Sequence, residues 1–174
     1  MLLLKFEKFS IISKDSFLEE LLFKYEKNVE HYQKFEKKGK QALAEMIRII
    51  DEQDGKMSMA FEQINEQYGD LKQACDKLQQ LSENQDYVFQ TFTESMNKKL
   101  VDSENTNILK EVYRLQKYIG SLHHEFKDDI QSKIKLVYQT LPQIVFLDIG
   151  DSEENLMLML DVWTYHNQIS ISSS

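Results

Sequence analysis

A hydrophobic repeat with alternating steps of three and four residues constrains what this chain can fold into. In its clearest stretch, interrupted by polar Ser82 and Gln85, the apolar positions are Met57, Phe61, Ile64, Tyr68, Leu71, Cys75, Leu78, Phe89, Phe92 and Met96. A mean step of 3.5 residues places these side chains in one narrow seam along a long helix, as in coiled coils. The repeat predicts an elongated helical architecture and does not by itself report a function.

Two further stretches carry the same repeat, so the sequence predicts three long helices. The seam of the first helix contains Leu18, Leu22, Tyr25, Val29, Tyr32, Leu43, Met46 and Ile50. The seam of the third contains Ile108, Val112, Leu115, Ile119, Leu122, Phe126, Ile130, Ile134, Val137 and Leu141. The four-residue steps near its end resemble a stutter, which locally unwinds a left-handed supercoil.

Capping and turn residues indicate where the helices begin and end. Ser16 and Glu19 have the spacing of a capping box and predict the start of the first helix. Gly55 suits a left-handed exit from a helix and predicts a break near residues 54–55. The polar segment 101–107 predicts a connection between antiparallel neighbours.

The only proline, Pro142, predicts that the third helix ends near Leu141, because proline lacks an amide donor and disfavours helix in the residue before it. The apolar run 143–149 that follows fits a strand, a loop or a helix. We predict a last, partly buried helix over residues 153–168, and a disordered tail over residues 170–174.

Composition limits the possible classes of protein. Of the 174 residues, 41% are hydrophobic, which is enough to form a core, whereas five glycines and one proline are too few for the turns of an all-β fold. The net charge of -8 argues against nucleic-acid binding, which requires clustered lysines and arginines. The predicted fold is therefore all-α: an elongated antiparallel helical coiled coil of three long helices plus a short C-terminal helix, spanning residues 16–169.

Basic residues form two groups on this acidic chain. On the first helix, a stripe opposite the seam comprises Lys24, Lys27, Lys34 and Lys38. It predicts a patch for anionic lipid or an acidic partner, although interleaved glutamates also fit an ordinary solvated face. A second group, Lys98, Lys99, Lys110, Arg114 and Lys117, flanks the connection between the second and third helices. If that connection is the tip of an antiparallel hairpin, these five charges converge.

The N-terminal segment, residues 1–15, is amphipathic. Leu2, Phe6 and Phe9 recur at helical spacing with lysines around them, a pattern typical of a segment that lies in the headgroup region of a bilayer. The segment equally fits a leading helical turn that packs against the bundle.

No set of residues supplies catalytic or metal-binding chemistry. The single cysteine, Cys75, falls in the seam between Leu71 and Leu78, where a free cysteine behaves as a small hydrophobe. The four histidines lack the spacing of known zinc or di-iron sites. We therefore predict no enzymatic activity, cofactor, metal ion or small-molecule substrate.

Three long amphipathic helices in this order resemble the BAR family of membrane-curvature proteins. The resemblance rests on the polar break before residues 108–117, of sequence ILKEVYRLQK, and on the closing residues 160–169, LDVWTYHNQI. It implies a crescent-shaped homodimer of three-helix coiled coils, formed through the central helices, that binds anionic bilayers through basic residues. Lys98, Lys99, Lys110, Arg114 and Lys117 would then occupy the arm tip, the lysine stripe would line the concave face, and Leu2, Phe6 and Phe9 would form a wedge.

Two functions are consistent with these observations. The first is a non-enzymatic, cytoplasmic BAR-like dimer that associates peripherally with anionic membrane and senses or supports curvature. The alternative is a coiled-coil scaffold or adaptor subunit of a larger protein assembly that binds no lipid. In the alternative, apolar residues outside the seams mark edges that face other coiled-coil proteins, namely Phe23, Phe35, Val88 and Leu136.

Overall fold

The computed structural model describes residues 14–52, 57–147 and 152–172, and every secondary-structure element in these ranges is helical. Three long helices come first: α1, Ser16–Asp51; α2, Met57–Asp102; and α3, Thr106–Lys135. A π-helical turn, Leu136–Thr140, leads into α4, Leu141–Leu147, and α5 spans Ser152–Ser172. The all-α prediction is confirmed. The predicted membrane wedge of Leu2, Phe6 and Phe9 lies outside the described residues.

The chain divides into two compact units, and each long helix contributes to both. The first unit contains the chain up to His31 together with Leu81–Phe126, and the second contains Tyr32–Gln80 together with the chain from Lys127. The break predicted near residues 54–55 agrees with the end of α1 at Asp51. The conformation of residues 53–56 lies outside the described ranges.

The core of the first unit is formed by one apolar face from each of α1, α2 and α3. Its buried residues are Leu18, Leu21, Leu22, Tyr25, Val88, Phe92, Met96, Val112, Leu115 and Ile119. Most of them occupy predicted seam positions, and each fully buried large apolar side chain contributes about 1.5–3 kcal/mol. Val88 belongs to this core, so its interpretation as a partner-facing residue was wrong, whereas Phe23 is half exposed.

Helix α1 begins where predicted, but Asp15 caps it instead of Ser16. The Asp15 Oδ1 atom accepts hydrogen bonds from the backbone N–H groups of Phe17, at 3.1 Å, and Leu18, at 3.2 Å. Ser16 is already the first helical residue. The residue just before a helix is the one whose side chain reaches the free amides of the first turn, which explains the shift by one position.

The connection between α2 and α3 is three residues long, not seven, because α2 continues to Asp102 and α3 begins at Thr106. The Asn105 side chain stabilises the start of α3 by accepting a hydrogen bond from the Asn107 N–H at 3.0 Å. Between the two helices, the Gln116 side-chain amide of α3 donates a hydrogen bond to Asn97 Oδ1 of α2 at 2.9 Å. The start of α3 therefore lies beside the end of α2.

The predicted end of the third helix near Leu141 was wrong, because helical backbone continues through α4 to Leu147. The Leu141 N–H donates to the Leu136 carbonyl, a five-residue step that inserts an extra residue into the helix. Pro142 then falls in the first turn of α4, where a missing amide donor is tolerated. Of the undecided run 143–149, residues 143–147 are thus helical, and the rest lies outside the described ranges.

Helix α5 completes the core of the second unit, as the prediction of a partly buried last helix requires. Leu156, Met159 and Trp163 are buried, whereas Met157 and Leu158 on the other side are exposed. Buried partners in this unit include Tyr32, Leu43, Met46, Leu71, Cys75, Leu78, Ile130 and Val137. α5 extends to Ser172, so residues 170–172 of the predicted disordered tail are helical.

Candidate functional site

The basic residues predicted at the connection between α2 and α3 all belong to the first unit. We define the tip surface as Lys98, Val101, Ile108, Lys110, Tyr113, Arg114 and Lys117, all of which are exposed. On α3, the exposed residues Lys110, Tyr113, Arg114 and Lys117 follow steps of three, one and three residues, which places them on one face. The buried Val112, Leu115 and Ile119 occupy the opposite face and fix this orientation.

Three exposed apolar side chains also belong to the end of α2 and the start of α3. Val101 is 85% exposed, Tyr113 is 64% exposed and Ile108 is 37% exposed. Sequence reasoning placed Ile108 in a buried seam and did not assign a role to Val101 or Tyr113. Exposed apolar and aromatic groups beside lysine and arginine are typical of surfaces that enter the interfacial region of a bilayer.

Lys99 differs from the other predicted tip cations because it is engaged within the protein. Its ammonium group forms an ion pair with Asp15, and both side chains are partly buried. The hydrogen bond from Lys99, together with the backbone N–H groups of Leu18 and Phe17, lowers the pKa of Asp15. Lys99 thereby joins the end of α2 to the start of α1, and we leave it out of the tip surface.

The local charge of the tip is opposite in sign to that of the chain. Apart from Lys99, which is paired with Asp15, residues 97–117 contain four basic and three acidic residues, a net charge of +1 in a protein whose net charge is -8. The acidic residues are Asp102, Glu104 and Glu111. A local excess of positive charge of this kind attracts anionic surfaces within about 8–10 Å at ordinary ionic strength.

The lysine stripe predicted on α1 has two members in each unit. Lys24 pairs with Glu20 at 2.8 Å and Lys27 with Glu30 at 2.7 Å in the first unit. Lys34 and Lys38 are exposed and belong to the second unit, where the Lys38 Nζ lies 5.9 Å from the centre of the Phe35 ring. The paired members fit a solvated face of the helix.

A buried polar cluster in the second unit was missed by sequence reasoning. The Lys133 Nζ donates hydrogen bonds to both Asp129 carboxylate oxygens, at 2.6 and 2.7 Å, and to the Tyr32 hydroxyl at 3.0 Å. The Tyr32 hydroxyl in turn donates to Asp129, and the Trp163 ring lies 5.4 Å from Lys133 Nζ. The four-residue spacing of Asp129 and Lys133 was the only local signal.

Burial sets the protonation behaviour of this cluster. Desolvation lowers the pKa of Lys133, an effect that the neighbouring Asp129 carboxylate opposes. Desolvation likewise raises the pKa of Tyr32, with the Asp129 charge acting in the same direction. The polar atoms of Tyr32, Asp129 and Lys133 join α1 to α3, and the Trp163 ring of α5 lies beside them, so the cluster connects three helices of the second unit.

The remaining candidates for chemistry are structural. Cys75 is fully buried, and desolvation raises the pKa of its thiol to about 12, so it is protonated at neutral pH. His123 stacks on Phe89, with ring centres 4.2 Å apart, and its Nε2 lies 2.8 Å from Asp86 Oδ1. Within the described ranges, no three or more metal-ligating side chains converge.

Comparison with known proteins finds no matching family model, no matching curated protein and no matching solved structure. Among the helices that the structure describes, none combines the length and apolarity needed to cross a bilayer. The chemistry of the tip surface is that of a charged surface with exposed apolar residues.

Proposed function

We propose that this chain is a non-enzymatic, cytoplasmic protein that associates peripherally with anionic membrane through its tip surface, and that it senses or supports curvature as a BAR-like dimer. The observation that carries this proposal is that four exposed cations and the exposed apolar side chains of Val101, Ile108 and Tyr113 all occur at the end of α2 and the start of α3. The cations supply long-range attraction to anionic headgroups, at about 1 kcal/mol per lysine or arginine near the surface. The apolar side chains add affinity that salt does not screen.

The proposed arrangement is an antiparallel coiled coil of the three long helices. Two contacts in the first unit support it: Asp15 pairs with Lys99, and Asn28 donates to Gln85 at 2.7 Å. Residues later in α1 thus lie opposite residues earlier in α2, as in an antiparallel pair. The link from Asn97 to Gln116 supports the same relation between α2 and α3. In this arrangement the tip surface lies at a turn, where it meets a membrane without obstruction.

The direct test is sedimentation with liposomes that contain phosphatidylserine, at low and at physiological salt. We expect the wild-type chain to sediment with these vesicles, more strongly at low salt, and not with vesicles of phosphatidylcholine alone. The variant K110E/R114E/K117E should lose this binding while its helical circular dichroism is unchanged. We omit Lys99 from the variant because its reversal would also disturb Asp15.

The matched control reverses three exposed lysines outside the tip surface, in the variant K37E/K40E/K135E. Both triple variants have the same net charge, so a difference between them reports the position of the cations. Equal loss of binding in the two variants would indicate a nonspecific charge effect. Full lipid binding by K110E/R114E/K117E would show that the tip surface is not the membrane-binding surface.

A second candidate function is a coiled-coil scaffold or adaptor that binds no lipid, and one observation favours it. Met157, Leu158 and Val162 leave an exposed apolar face on α5, opposite the buried Leu156, Met159 and Trp163. Exposed apolar residues grouped on a helix face are typical of protein-binding edges. If the wild-type chain ignores anionic vesicles at both salt concentrations, this face becomes the better guide to its partners.

A further inference from the structure

A groove of about 580 Å³ runs between α1 and α2 in the second unit. Its floor contains Ala42 and Ala74, which are nearly inaccessible to solvent. Its walls carry charged residues of both signs, and its full lining is Phe35, Lys38, Gln41, Ala42, Glu45, Gln67, Asp70, Gln73, Ala74 and Lys77. Small residues on a groove floor allow the backbone of another helix to approach closely.

The charges of this groove are ordered along its length. In the antiparallel arrangement proposed above, the lining residues of the groove pair so that Lys38 is level with Lys77, and Glu45 is level with Asp70. Between these two pairs, Ala42 is level with Ala74. The spacing from the alanines to either charged pair is three to four residues on each helix, about 5–6 Å. The groove thus has a basic end, an acidic end and a small apolar centre midway between them.

The acidic end keeps its sign when its neighbours are included. Arg48 lies close to this end and pairs with both Glu45 and Glu52. Glu45, Glu52 and Asp70 thus supply three carboxylates at this end of the groove, against the single guanidinium group of Arg48. At the basic end, Lys77 donates a neutral hydrogen bond to Gln80 at 3.2 Å, and Lys38 lies over the Phe35 ring. Among the residues that the structure describes, neither of these two lysines forms an ion pair with a carboxylate.

We propose that this groove is the homodimer interface, and that its occupant is the same groove of a second copy of the chain, related by a two-fold axis through Ala42 and Ala74. A two-fold axis makes each surface contact itself, so the surface must be self-complementary. Rotation about the alanines brings the basic end of one copy onto the acidic end of the other, twice. The alanines at the axis let the four helices approach closely.

This inference deepens the proposed function, because it names the surface of the dimer, yet it does not depend on lipid. A salt-sensitive dimer without affinity for liposomes would retain the groove and remove the membrane proposal. Lipid binding by a monomer would support the membrane proposal and contradict the groove as a dimer interface. The two proposals are thus tested by separate measurements on the same purified chain.

The experiment measures the mass of the purified full chain by sedimentation equilibrium across a range of concentrations, without lipid. We expect a dimer of the 20.6 kDa chain. The variants K38E/K77E and Q67K/D70K should each weaken self-association by about tenfold or more, because each turns attraction at the groove ends into repulsion. Circular dichroism should be unchanged, since Lys38, Lys77 and Asp70 are exposed and Gln67 is partly exposed.

A mixture of the two variants provides the sharpest readout. K38E/K77E has two acidic ends and Q67K/D70K has two basic ends, so the mixture should form heterodimers at least as tight as the wild-type dimer. The control K37E/K40E, outside the groove, should dimerise with an affinity close to that of the wild type. A wild-type chain that stays at 20.6 kDa at all concentrations would overturn the proposal. So would a K38E/K77E dimer as tight as that control.

Discussion

The indole of Trp163 fills the space that a side chain at residue 39 would occupy. A Cβ atom built on Gly39 would overlap Trp163 Cζ2 and lie 2.8 Å from Cη2. The ring is held there because Trp163 Nε1 donates a hydrogen bond to the Glu36 carbonyl at 3.0 Å, and because Trp163 is fully buried. Gly39 is therefore the position on α1 at which α5 packs.

This relationship predicts that Gly39→Ala destabilises the protein. Alanine favours helix over glycine by about 1 kcal/mol, but a new methyl group must displace a rigid, hydrogen-bonded indole, and overpacking of this kind costs about 1–3 kcal/mol or more. We expect a net loss in the free energy of unfolding, measured by urea denaturation with Trp163 fluorescence as the probe.

Gly69→Ala is the matched control on α2. A Cβ at Gly69 meets no atom within 4 Å, and the residue is exposed. Here only helix propensity changes, so we expect the free energy of unfolding to rise by about 0.5–1 kcal/mol. Opposite signs for the two substitutions would support the packing of Trp163 on Gly39, and stabilisation by both would contradict it.

The buried ion pair of Asp129 and Lys133 predicts an asymmetric response to mutation. Asp129→Ala leaves the Lys133 ammonium buried without its carboxylate, and such a loss costs about 3–5 kcal/mol. The double variant Asp129→Leu/Lys133→Met removes both charges and should recover part of that loss, since apolar replacements of buried pairs are often neutral but the Tyr32 hydroxyl loses both of its partners. Urea denaturation of the wild type, Asp129→Leu, Lys133→Met and the double variant measures the coupling.

An ion pair exposed to solvent serves as the comparison. Lys27 and Glu30 form an ion pair in which both side chains are about half exposed or more. Glu30→Ala should change stability little, because solvent screens this pair. If Asp129→Ala were as mild as Glu30→Ala, the buried cluster would not hold the second unit together.

The sequence predicted the seams well where they depend on local periodicity and failed where distant residues decide. Ile134 was assigned to the seam of the third helix, yet Lys133 is 1% exposed and Ile134 is only partly buried. A lysine is accepted there because Tyr32 and Asp129 satisfy its ammonium group, and Tyr32 is 101 residues away. Periodicity does not contain that information.

The candidate site was likewise predicted only where the sequence pattern is local. Charge patterning indicated the cations of the tip surface, because lysines and arginines near a polar connection are visible in the sequence. The exposure of Val101 and Tyr113 was not visible, since it depends on α2 continuing to Asp102 and on which face of α3 is buried. Likewise, Pro142 predicted an end to the third helix, and only the π turn explains its continuation.

Burial of Cys75 predicts that its thiol is unreactive in the folded protein. The thiolate is the reactive form, and desolvation raises the pKa of this thiol to about 12. We expect Ellman's reagent at pH 8 to label the native chain very slowly, and to label one thiol per chain immediately in denaturant. Rapid labelling of the native chain would show that Cys75 is not in the core.

Asp15 predicts a different stability effect from its neighbour Ser16. Asp15→Ala removes a side-chain cap that accepts two backbone N–H groups, which typically costs about 1 kcal/mol, and also the ion pair with Lys99. Ser16→Ala should have a much smaller effect, because Ser16 is the first helical residue and alanine is a good helix former. Equal losses in the free energy of unfolding for the two variants, measured by urea denaturation, would contradict the assignment of the cap to Asp15 instead of Ser16.

Asp15→Asn isolates the charge, because asparagine also caps helices but does not pair with Lys99. The folded-state pKa of Asp15 lies below the usual value of 3.8, chiefly through the hydrogen bond from Lys99. Between the folded pKa and 3.8, the unfolded chain binds more protons than the folded chain, so stability falls as the pH falls through this window. The wild type should therefore be more stable than Asp15→Asn at neutral pH, and this advantage should vanish at a pH well below 3.8. An advantage that persisted unchanged in acid would mean that the Asp15 carboxylate contributes through its shape and not through its charge.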